Sequence, residues 1–159
     1  MIKVTLITLG KLKEAYLRDA ADEYKKRLSR YCNLDVVELT PEQLPDNASA
    51  SQIEIALSRE AQMISAKIPK GALTVPLCVE GKQLSSEKFA DLVADQCAQG
   101  RPMCFIIGSS YGLSDEIKRQ ADMKLSVSEM TFPHQLFRIM LLEQIYRGFK
   151  INEGSAYHK

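Results

Sequence analysis

The sequence predicts an α/β fold in which parallel strands alternate with crossover helices. Apolar residues recur with a period of two in some segments and at spacings of three and four in others, and the two kinds of segment alternate at least four times. The run MCFIIG at 103–108 is apolar without interruption, as expected of a strand that is covered on both faces. The 159 residues contain no repeat, low-complexity tract or linker, so we expect one domain spanning residues 1–159.

The first half of the chain provides two strands and two helices. Residues 2–6 alternate as a strand, and LDVVEL at 34–39 predicts a second strand. Between them, one apolar helical stripe is formed by Leu17, Ala21, Tyr24, Leu28 and Tyr31. A polar loop with two prolines follows, and Ser49 and Gln52 are spaced as a capping box. The helix that they begin has an apolar face formed by Ile53, Leu57, Ala61, Ile64 and Ile68.

The second half continues the alternation and ends in an unusual helix. Residues 72–79 alternate as a strand in which Pro76 indicates an edge, a bulge or a strand end. A capped helix ending at Gly100 precedes the apolar run at 103–108, and a short strand is expected near residue 125. The last helix, QLFRIMLLEQIYRGF at 135–149, is apolar nearly all round. One sheet face cannot cover so wide a surface, so we expect a dimer interface there.

Composition limits the possible classes of protein. The four cysteines form no Cys-x-x-Cys pair and have no histidine at zinc spacing, so we expect free thiols, no disulfides and no metal. The N-terminal apolar run is too short for a signal peptide, and no stretch reaches membrane-spanning length. A reducing cytosol suits free thiols, so these features predict a soluble, cytoplasmic protein without membrane contact.

Charge is uneven along the chain although the net charge is only +1. Residues 1–30 carry eight Lys or Arg against four Asp or Glu, residues 31–130 nine against fourteen, and residues 131–159 four against two. Two basic ends therefore flank an acidic middle. This asymmetry indicates either a local anionic partner or a solvated helix face at EYKKRLSR.

Ligands of parallel α/β folds bind beyond the carboxyl ends of the strands, and three loops leave those ends here. They are PLCVEGK at 76–82, FIIGSSYGLSDE at 105–116 and SVSEMTFPH at 126–134. In the second loop, small residues such as Gly108 and Gly112 would let backbone amides approach a ligand. The pattern matches neither a dinucleotide fingerprint nor a phosphate loop, so by itself it favours a plain tight turn.

Both histidines lie within residues 131–159. His134 follows Pro133 and opens the last helix, which by itself indicates a helix-start residue bonded to backbone. His158 is the penultimate residue, where frayed ends are common. Glu143 and Arg147 are four residues apart and therefore well placed to pair with each other.

The fragments LITLGKLKE, LCVEGK, FIIGSSYGL, MTFPHQLFR, LLEQIYRGFKI and the terminal YHK follow one another in this order. Together, over the whole chain, they resemble the small SPOUT-class methyltransferases that modify N3 of a pseudouridine in bacterial large-subunit (23S) ribosomal RNA. The resemblance implies a Rossmann-like, mostly parallel sheet with helices on both faces. It also implies a homodimer, S-adenosyl-L-methionine as methyl donor, and a C-terminal deep trefoil knot that holds the cofactor, although general topology rules argue against knots.

The resemblance further implies which residues hold the cofactor. Backbone groups around Leu77 and Gly81, at the turn of Gly108, and from residue 127 to 132 match the three cofactor loops of the family. The predicted cofactor-binding residues are Leu77, Gly108, Ser109, Val127, Ser128, Glu129, Met130, Thr131 and Phe132. Ser109 replaces a second glycine usual in the family, so its side chain is expected to crowd the methionyl end or to add a hydrogen bond there. Pro76, in the strand that leads to the first loop, is likewise expected to affect the affinity for the cofactor.

The implied chemistry gives the histidines a role. An imide nitrogen must lose its proton before it accepts a methyl group, and histidine is the natural proton acceptor near neutral pH. The resemblance implies that His134 lies beside the cofactor loop, as base or as pocket packing, and that Tyr157 and His158 reach into the partner's site on a flexible tail. Arg138 and Arg147 would contact phosphate or carbonyl oxygens.

The remaining expectations concern the contacts with RNA, the form of the substrate and two alternative functions. Phosphates would be met by Lys11, Lys13, Lys25, Lys26 and Arg30 and by the C-terminal basic residues, with Tyr157 stacked on a base. Because the net charge is near zero, we expect the substrate to be an assembled ribosomal particle. The first alternative is a non-catalytic, ribosome-associated RNA-binding protein of the same fold, for which Ser109 is the main support. The second, another nucleotide-binding α/β enzyme, lacks a phosphate-loop lysine.

Overall fold

A computed structural model describes all 159 residues and contains five strands that alternate strictly with five helices. The elements are β1 (Ile2–Leu9), α1 (Ala15–Leu28), β2 (Cys32–Leu39), α2 (Ala50–Ser65), β3 (Leu73–Gln83), α3 (Ser86–Gln99), β4 (Met103–Ile107), α4 (Asp115–Gln120), β5 (Leu125–Ser126) and α5 (His134–Asn152). The predicted alternation of strands and helices is confirmed.

The five strands form one sheet in the order β2-β1-β4-β3-β5, and every neighbouring pair is parallel. The predicted parallel α/β fold is therefore correct. Because all strands run the same way, their carboxyl ends lie at one edge of the sheet, and the loops that follow them leave from that edge.

Helices cover both faces of the sheet, as predicted. Residues of α1, α3 and α5 join one apolar core, while residues of α2 and α4 join a second, smaller core. Central strand β4 divides its side chains between them, because successive residues point to opposite faces. Phe105 lies in the first core and Ile106 in the second, and both are fully buried. Burial of each such side chain stabilises the fold by roughly 1.5–3 kcal/mol.

Local signals place most helix ends where the sequence predicts them. The Ser49 hydroxyl accepts from the Gln52 N–H at 3.2 Å, and the Gln52 side chain accepts from the Ser49 N–H at 2.8 Å, which confirms the capping box. Gly100 ends α3 in the left-handed region (φ 62°), as expected of a glycine C-cap. The stripes predicted for α1 and α2 run too far, since Tyr31 and Ile68 lie beyond the last helical turns.

Pro76 lies inside β3, in register with Ile106 of β4. The other side of β3 gains its partner β5 only from Leu77 onward, and the register then shifts before Lys82. Proline has no N–H to donate, so it occupies a position where one side of the strand lacks a strand partner. Of the three alternatives predicted for Pro76, an edge strand and a strand end are wrong, because β3 lies between β4 and β5 and continues to Gln83, and the register shift between Leu77 and Lys82 agrees with a bulge.

Helix α5 packs one side against α1 and α3 but leaves apolar surface uncovered. Leu142 and Ile145 are fully buried, whereas Leu136 is 36% exposed and the preceding Met130 is 73% exposed. The sequence prediction of a helix that is apolar nearly all round thus corresponds to a half-covered helix in the single chain. None of the five helices combines the length and apolar character of a membrane span.

Candidate active site

The three predicted cofactor segments lie on neighbouring strands, but only two of them are loops: residues 76–82, predicted as a loop, form the second half of β3 (Leu73–Gln83) and pair with β5. Pro76 of β3 is in register with Ile106 of β4, and Leu77 is in register with Leu125 of β5. Gly108 directly follows the last residue of β4, and Val127 directly follows the last residue of β5, so each begins a loop at the carboxyl end of its strand. The strand order thus brings together the loops that sequence reasoning selected.

Two glycines allow the backbones of these loops to approach other parts of the chain. A Cβ atom on Gly81 would lie 2.7–2.9 Å from backbone atoms of Lys124 and Leu125, where β3 meets β5. A Cβ on Gly108 would lie 2.4 Å from the carbonyl oxygen of Gly112. Both distances are shorter than any real contact, so the close packing of the loops requires glycine at each position.

The loop of residues 127–132 has an unusually free backbone. None of these residues takes part in a backbone–backbone hydrogen bond. The loop is shaped instead by serine side chains: the Ser126 hydroxyl donates to the Ser128 carbonyl at 3.1 Å, and the Met130 N–H donates to the Ser128 hydroxyl at 3.0 Å. Phe132 anchors the far end by an edge contact with Phe137 at 5.7 Å between ring centroids. Most amides and carbonyls of the loop are therefore available to a ligand.

A cleft of about 240 Å³ opens beside this loop, between β5, the start of α3 and the middle of α5. Its polar groups include the Glu143 carboxylate and the Ser86 hydroxyl, which donates to Gln144 at 2.8 Å. The cleft is lined by Leu84, Ser86, Phe89, Leu125, Ser126, Val127, Met140, Leu141, Glu143 and Gln144. An apolar wall with a few polar groups is typical of small-molecule sites.

Of the predicted cofactor residues, only Val127 lines this cleft. Sequence reasoning missed the α3 and α5 residues of the lining. Helical spacing places Met140 and Gln144, four residues apart, on one face of α5. That signal alone does not separate a cleft wall from an ordinary core face.

Ser109 turns toward the opposite face of the sheet. Its hydroxyl donates to Glu60 of α2 at 3.3 Å, and both residues line a second cleft of about 250 Å³. Burial raises the pKa of the Glu60 carboxyl, and hydrogen bonds from the Glu42 N–H and from Ser109 partly offset this effect. The side chain that was expected to crowd or bond the methionyl group is thus bonded to α2.

His134 opens α5, as predicted, and is half-buried. Burial lowers the pKa of its imidazole, and the nearby positive charges of Arg138 and Lys13 lower it further. Gln135, the next residue, joins this end of α5 to the loop after β1, because the Lys13 N–H donates to its side chain at 2.9 Å. These surroundings favour a neutral ring, the form that can accept a proton.

Arg138 is buried and bonded within the fold. One guanidinium nitrogen lies 2.7 Å from the Glu38 carboxylate, and the other donates to the Thr8 hydroxyl at 2.9 Å and to the Gly10 carbonyl at 3.0 Å. Its Nε atom is buried without a partner. The structure therefore shows Arg138 joining α5 to the carboxyl ends of β1 and β2, and its predicted contact with substrate oxygens stays a prediction.

The C-terminal tail folds back on its own chain. The Tyr157 phenol donates to Glu143 at 3.0 Å, and its ring meets Tyr146 edge-on at 5.1 Å. Burial and the Glu143 carboxylate raise the pKa of that phenol. The predicted pair of Glu143 and Arg147 is confirmed at 2.6 Å, with the guanidinium 4.7 Å from the Tyr157 ring centre.

His158 is held through both ring nitrogens. Nδ1 lies 3.1 Å from Nη1 of Arg147, and Nε2 lies 2.8 Å from the Glu87 carboxylate at the start of α3. The tail was predicted to be a flexible arm that reaches into a partner subunit. In the single chain it is instead docked beside the cleft, next to Ser86 and Glu143.

A parallel α/β sheet whose predicted ligand segments lie on or directly after three neighbouring strands is typical of the class of α/β proteins that bind small ligands at the strand ends. Comparison with known proteins identifies the family within this class. The family model described as a predicted SPOUT methyltransferase matches residues 2–158. The chain belongs to the SPOUT methyltransferase family.

Relatives with assigned names are similar over their entire length. The chain is 52% identical to a ribosomal RNA large subunit methyltransferase H of Clostridium beijerinckii and 46% identical to the protein of that name in Clostridioides difficile. In both cases the match covers 99% of this chain and 100% of the relative.

Solved structures agree on the fold. A probable methylase family protein from Haemophilus influenzae Rd KW20 is 13% identical, with a TM-score of 0.56 over 99% of this chain and 70% of that one. A putative methylase family protein from Neisseria gonorrhoeae is also 13% identical, with a TM-score of 0.51 over 91% of this chain and 81% of that one.

Proposed function

We propose that this protein is an S-adenosyl-L-methionine-dependent methyltransferase that methylates N3 of a pseudouridine in 23S ribosomal RNA. The names of the full-length relatives support ribosomal RNA as the substrate. The structural observation that carries the proposal is the free backbone of residues 127–132, beside a cleft at the carboxyl edge of the sheet.

The residues present fit this cofactor. Unpaired amides and carbonyls of residues 127–132 suit the hydrogen-bonding edge of an adenine and the polar ends of a methionine. Leu84, Phe89 and Met140 provide an apolar wall for a purine face. When bound, S-adenosyl-L-methionine supplies an electrophilic methyl group on a sulfonium sulfur.

The protein's own part in the reaction is to orient the two reactants and to move one proton. The imide N3–H would have to lose its proton so that the electron pair left on N3 could accept the methyl group, whose bond to the donor sulfur would break as the new bond forms. Two imidazoles are candidates to take this proton: His134, whose surroundings hold the ring neutral beside the loop of residues 127–132, and His158 of the C-terminal tail. Anionic charge that develops on the neighbouring carbonyl oxygens would be stabilised by Arg147, which is paired with Glu143 of the cleft wall.

A homodimer completes the proposal. The uncovered side of α5, with Leu136 at its start, would pack against a second copy. The tail containing Tyr157 and His158 lies on α5 itself, so this packing would bring it close to the partner's cleft. A trefoil knot in the C-terminal third remains part of the proposal for this chain.

We propose the assembled ribosome as the substrate. Lys11 and Lys25 line a small cleft beside Arg138 and form no ion pair within the chain, so they are free to meet phosphates, whereas Arg18 of the same cleft is bonded to the carbonyls of Leu12 and Lys13. Two such contacts support only weak binding to naked RNA at physiological salt, because phosphate contacts are screened. The shape of a ribosomal particle would supply the remaining contacts.

The test is methyl transfer from radiolabelled S-adenosyl-L-methionine to ribosomes, to isolated large subunits and to naked 23S RNA, followed by mass spectrometry of the digested nucleosides. We expect label in N3-methylpseudouridine, with assembled particles as the better substrates. Methylation of another nucleoside would reject the proposed target. Equal rates on short naked fragments would reject the requirement for an assembled particle.

The alternative is a non-catalytic, ribosome-associated RNA-binding protein of the same fold. Its main support was Ser109, which was expected to disturb the cofactor. Because the Ser109 hydroxyl is bonded to Glu60, this support is weaker in the structure than in the sequence.

A further inference from the structure

The docked tail contains an arrangement that the proposed function does not use. His158 contacts a carboxylate through one ring nitrogen and a guanidinium through the other. The two partners come from different helices, Glu87 from the first turn of α3 and Arg147 from the last part of α5. The tail itself supplies only the imidazole.

The chemistry of these contacts determines the state of the ring. Arginine nitrogens only donate hydrogen bonds, so the 3.1 Å contact with Arg147 requires an unprotonated Nδ1 that accepts. The ring proton then lies on Nε2, which donates to the Glu87 carboxylate at 2.8 Å. These contacts therefore select one tautomer of His158, with its acceptor nitrogen facing Arg147.

We propose that Glu87 is a positioning residue for His158, and that the pair forms a carboxylate–imidazole dyad whose Nδ1 accepts the N3 proton of the substrate base. This inference rests on the proposed function. Arg147 occupies Nδ1 in the absence of substrate and releases it when its guanidinium turns to the anionic oxygens of the base. The base enters at the cleft wall that Ser86 and Glu143 form beside the dyad.

The proton balance is simple. The N3–H bond of the base would break and its proton would move to Nδ1, while the electron pair on N3 would form the new bond to the methyl carbon; the bond from that carbon to the sulfur of a bound donor would break, with its electron pair left on the sulfur. The ring becomes an imidazolium, with Nε2–H still donating to Glu87. The carboxylate remains ionised throughout, in keeping with the lowered pKa of Glu87, whose largest cause is the hydrogen bond from His158. Histidine pairs of this kind are oriented and stabilised as cations by the carboxylate behind them.

The test compares Glu87→Gln with Glu116→Gln. Both residues are acidic side chains in the first turn of a helix, so any loss of favourable helix-dipole interaction is matched. The Glu87 side chain is well exposed, so its contact with His158 is screened by solvent and should contribute only modestly to catalysis. We expect Glu87→Gln to lower kcat about threefold to tenfold, with KM for ribosomes and Kd for S-adenosyl-L-methionine unchanged. Glu87→Asp should restore part of the loss, and Glu116→Gln should stay within about twofold of wild type.

A double-mutant cycle shows whether Glu87 acts through His158. In a His158→Gln background, Glu87→Gln should have no further effect on kcat, because its partner is absent. An equal loss in both backgrounds would overturn the inference, as would a Glu87→Gln variant as active as Glu116→Gln. In those cases an active wild type still supports the proposed function. A wild type that transfers no methyl group would overturn both.

Discussion

The guanidinium of Arg138 lies 2.7 Å from the Glu38 carboxylate, although the two residues are one hundred positions apart. The pair joins the first turns of α5 to the end of β2, and Arg138 also bonds to Thr8 and to the Gly10 carbonyl beside β1. His134 lies one helical turn before Arg138. The position of the predicted base relative to the sheet therefore depends on this buried arginine.

Replacement of Arg138 by leucine should lower the free energy of unfolding by about 3 kcal/mol, because it leaves the partners of a buried cation unpaired. Urea denaturation of the purified variant measures the change. Arg59→Ala serves as the control, since Arg59 is mostly exposed and lies 3.9 Å from Glu42. It should cost less than about 1 kcal/mol. Similar losses in both variants would show that Arg138 does not have the stabilising role assigned to it.

Two glycine-to-alanine substitutions should have opposite effects on stability. Gly81→Ala should destabilise by roughly 1–3 kcal/mol, because its Cβ would overlap the backbone of Lys124 and Leu125. Gly148→Ala should stabilise by about 0.5–1 kcal/mol, because this position is helical and the nearest atom to a new Cβ is 3.5 Å away. Thermal unfolding of the two variants tests the packing of β3 against β5. A neutral Gly81→Ala variant would contradict it.

The imidazole of His134 should titrate below its usual range, near 6.5 for an unperturbed side chain. Because the folded-state pKa is lowered, the unfolded chain binds more protons just below pH 6.5, so acidification through that value should reduce stability. NMR titration is simple with only two histidines, and His158→Gln provides the assignment. Lys13→Gln should raise the pKa of His134, since it removes a nearby positive charge. An unchanged titration in that variant would contradict the assigned cause.

Two of the four thiols should be unreactive in the folded protein. Burial raises the pKa of Cys32 to about 11 and that of Cys104 to about 12, whereas Cys97 is exposed and Cys78 partly exposed. Ellman's reagent should therefore titrate two thiols under native conditions and four in denaturant. The raised values also mean that the unfolded chain loses these protons first, so stability should fall as pH rises above about 8.5. Four fast-reacting native thiols would contradict the burial.

Sequence patterns predicted the architecture well because each element carries its own signal. The alternation in β1, the continuous apolar run of β4 and the capping box at Ser49 depend on near neighbours in the chain. The C-terminal ends of α1 and α2 were predicted less accurately than their existence, because apolar residues such as Tyr31 pack on the same core after the helix has ended. The parallel direction of the strands followed from the alternation of strands and helices, whereas their order in the sheet was not predicted.

The site was predicted less completely, because its contacts join distant parts of the chain. The pairing of Arg138 with Glu38 spans one hundred residues, and that of His158 with Glu87 spans seventy-one. Neither has a local sequence signal. The hydrogen bond from Ser109 to Glu60 was not predicted for the same reason, since Glu60 lies on α2, far along the chain. The pair of Glu143 and Arg147 was predicted correctly because both residues lie on one helix, four positions apart.

Calorimetric titration with S-adenosyl-L-methionine tests the central claim most directly, because it separates a methyltransferase from an RNA-binding protein of the same fold. Wild type should show saturable binding of one molecule per chain. Val127→Lys, which places a long cationic side chain in the cleft, should abolish it, and the control Ile55→Lys, at an exposed position on α2, should not. Wild-type protein that binds no cofactor, or a Val127→Lys variant that binds it as well as wild type, would contradict the account.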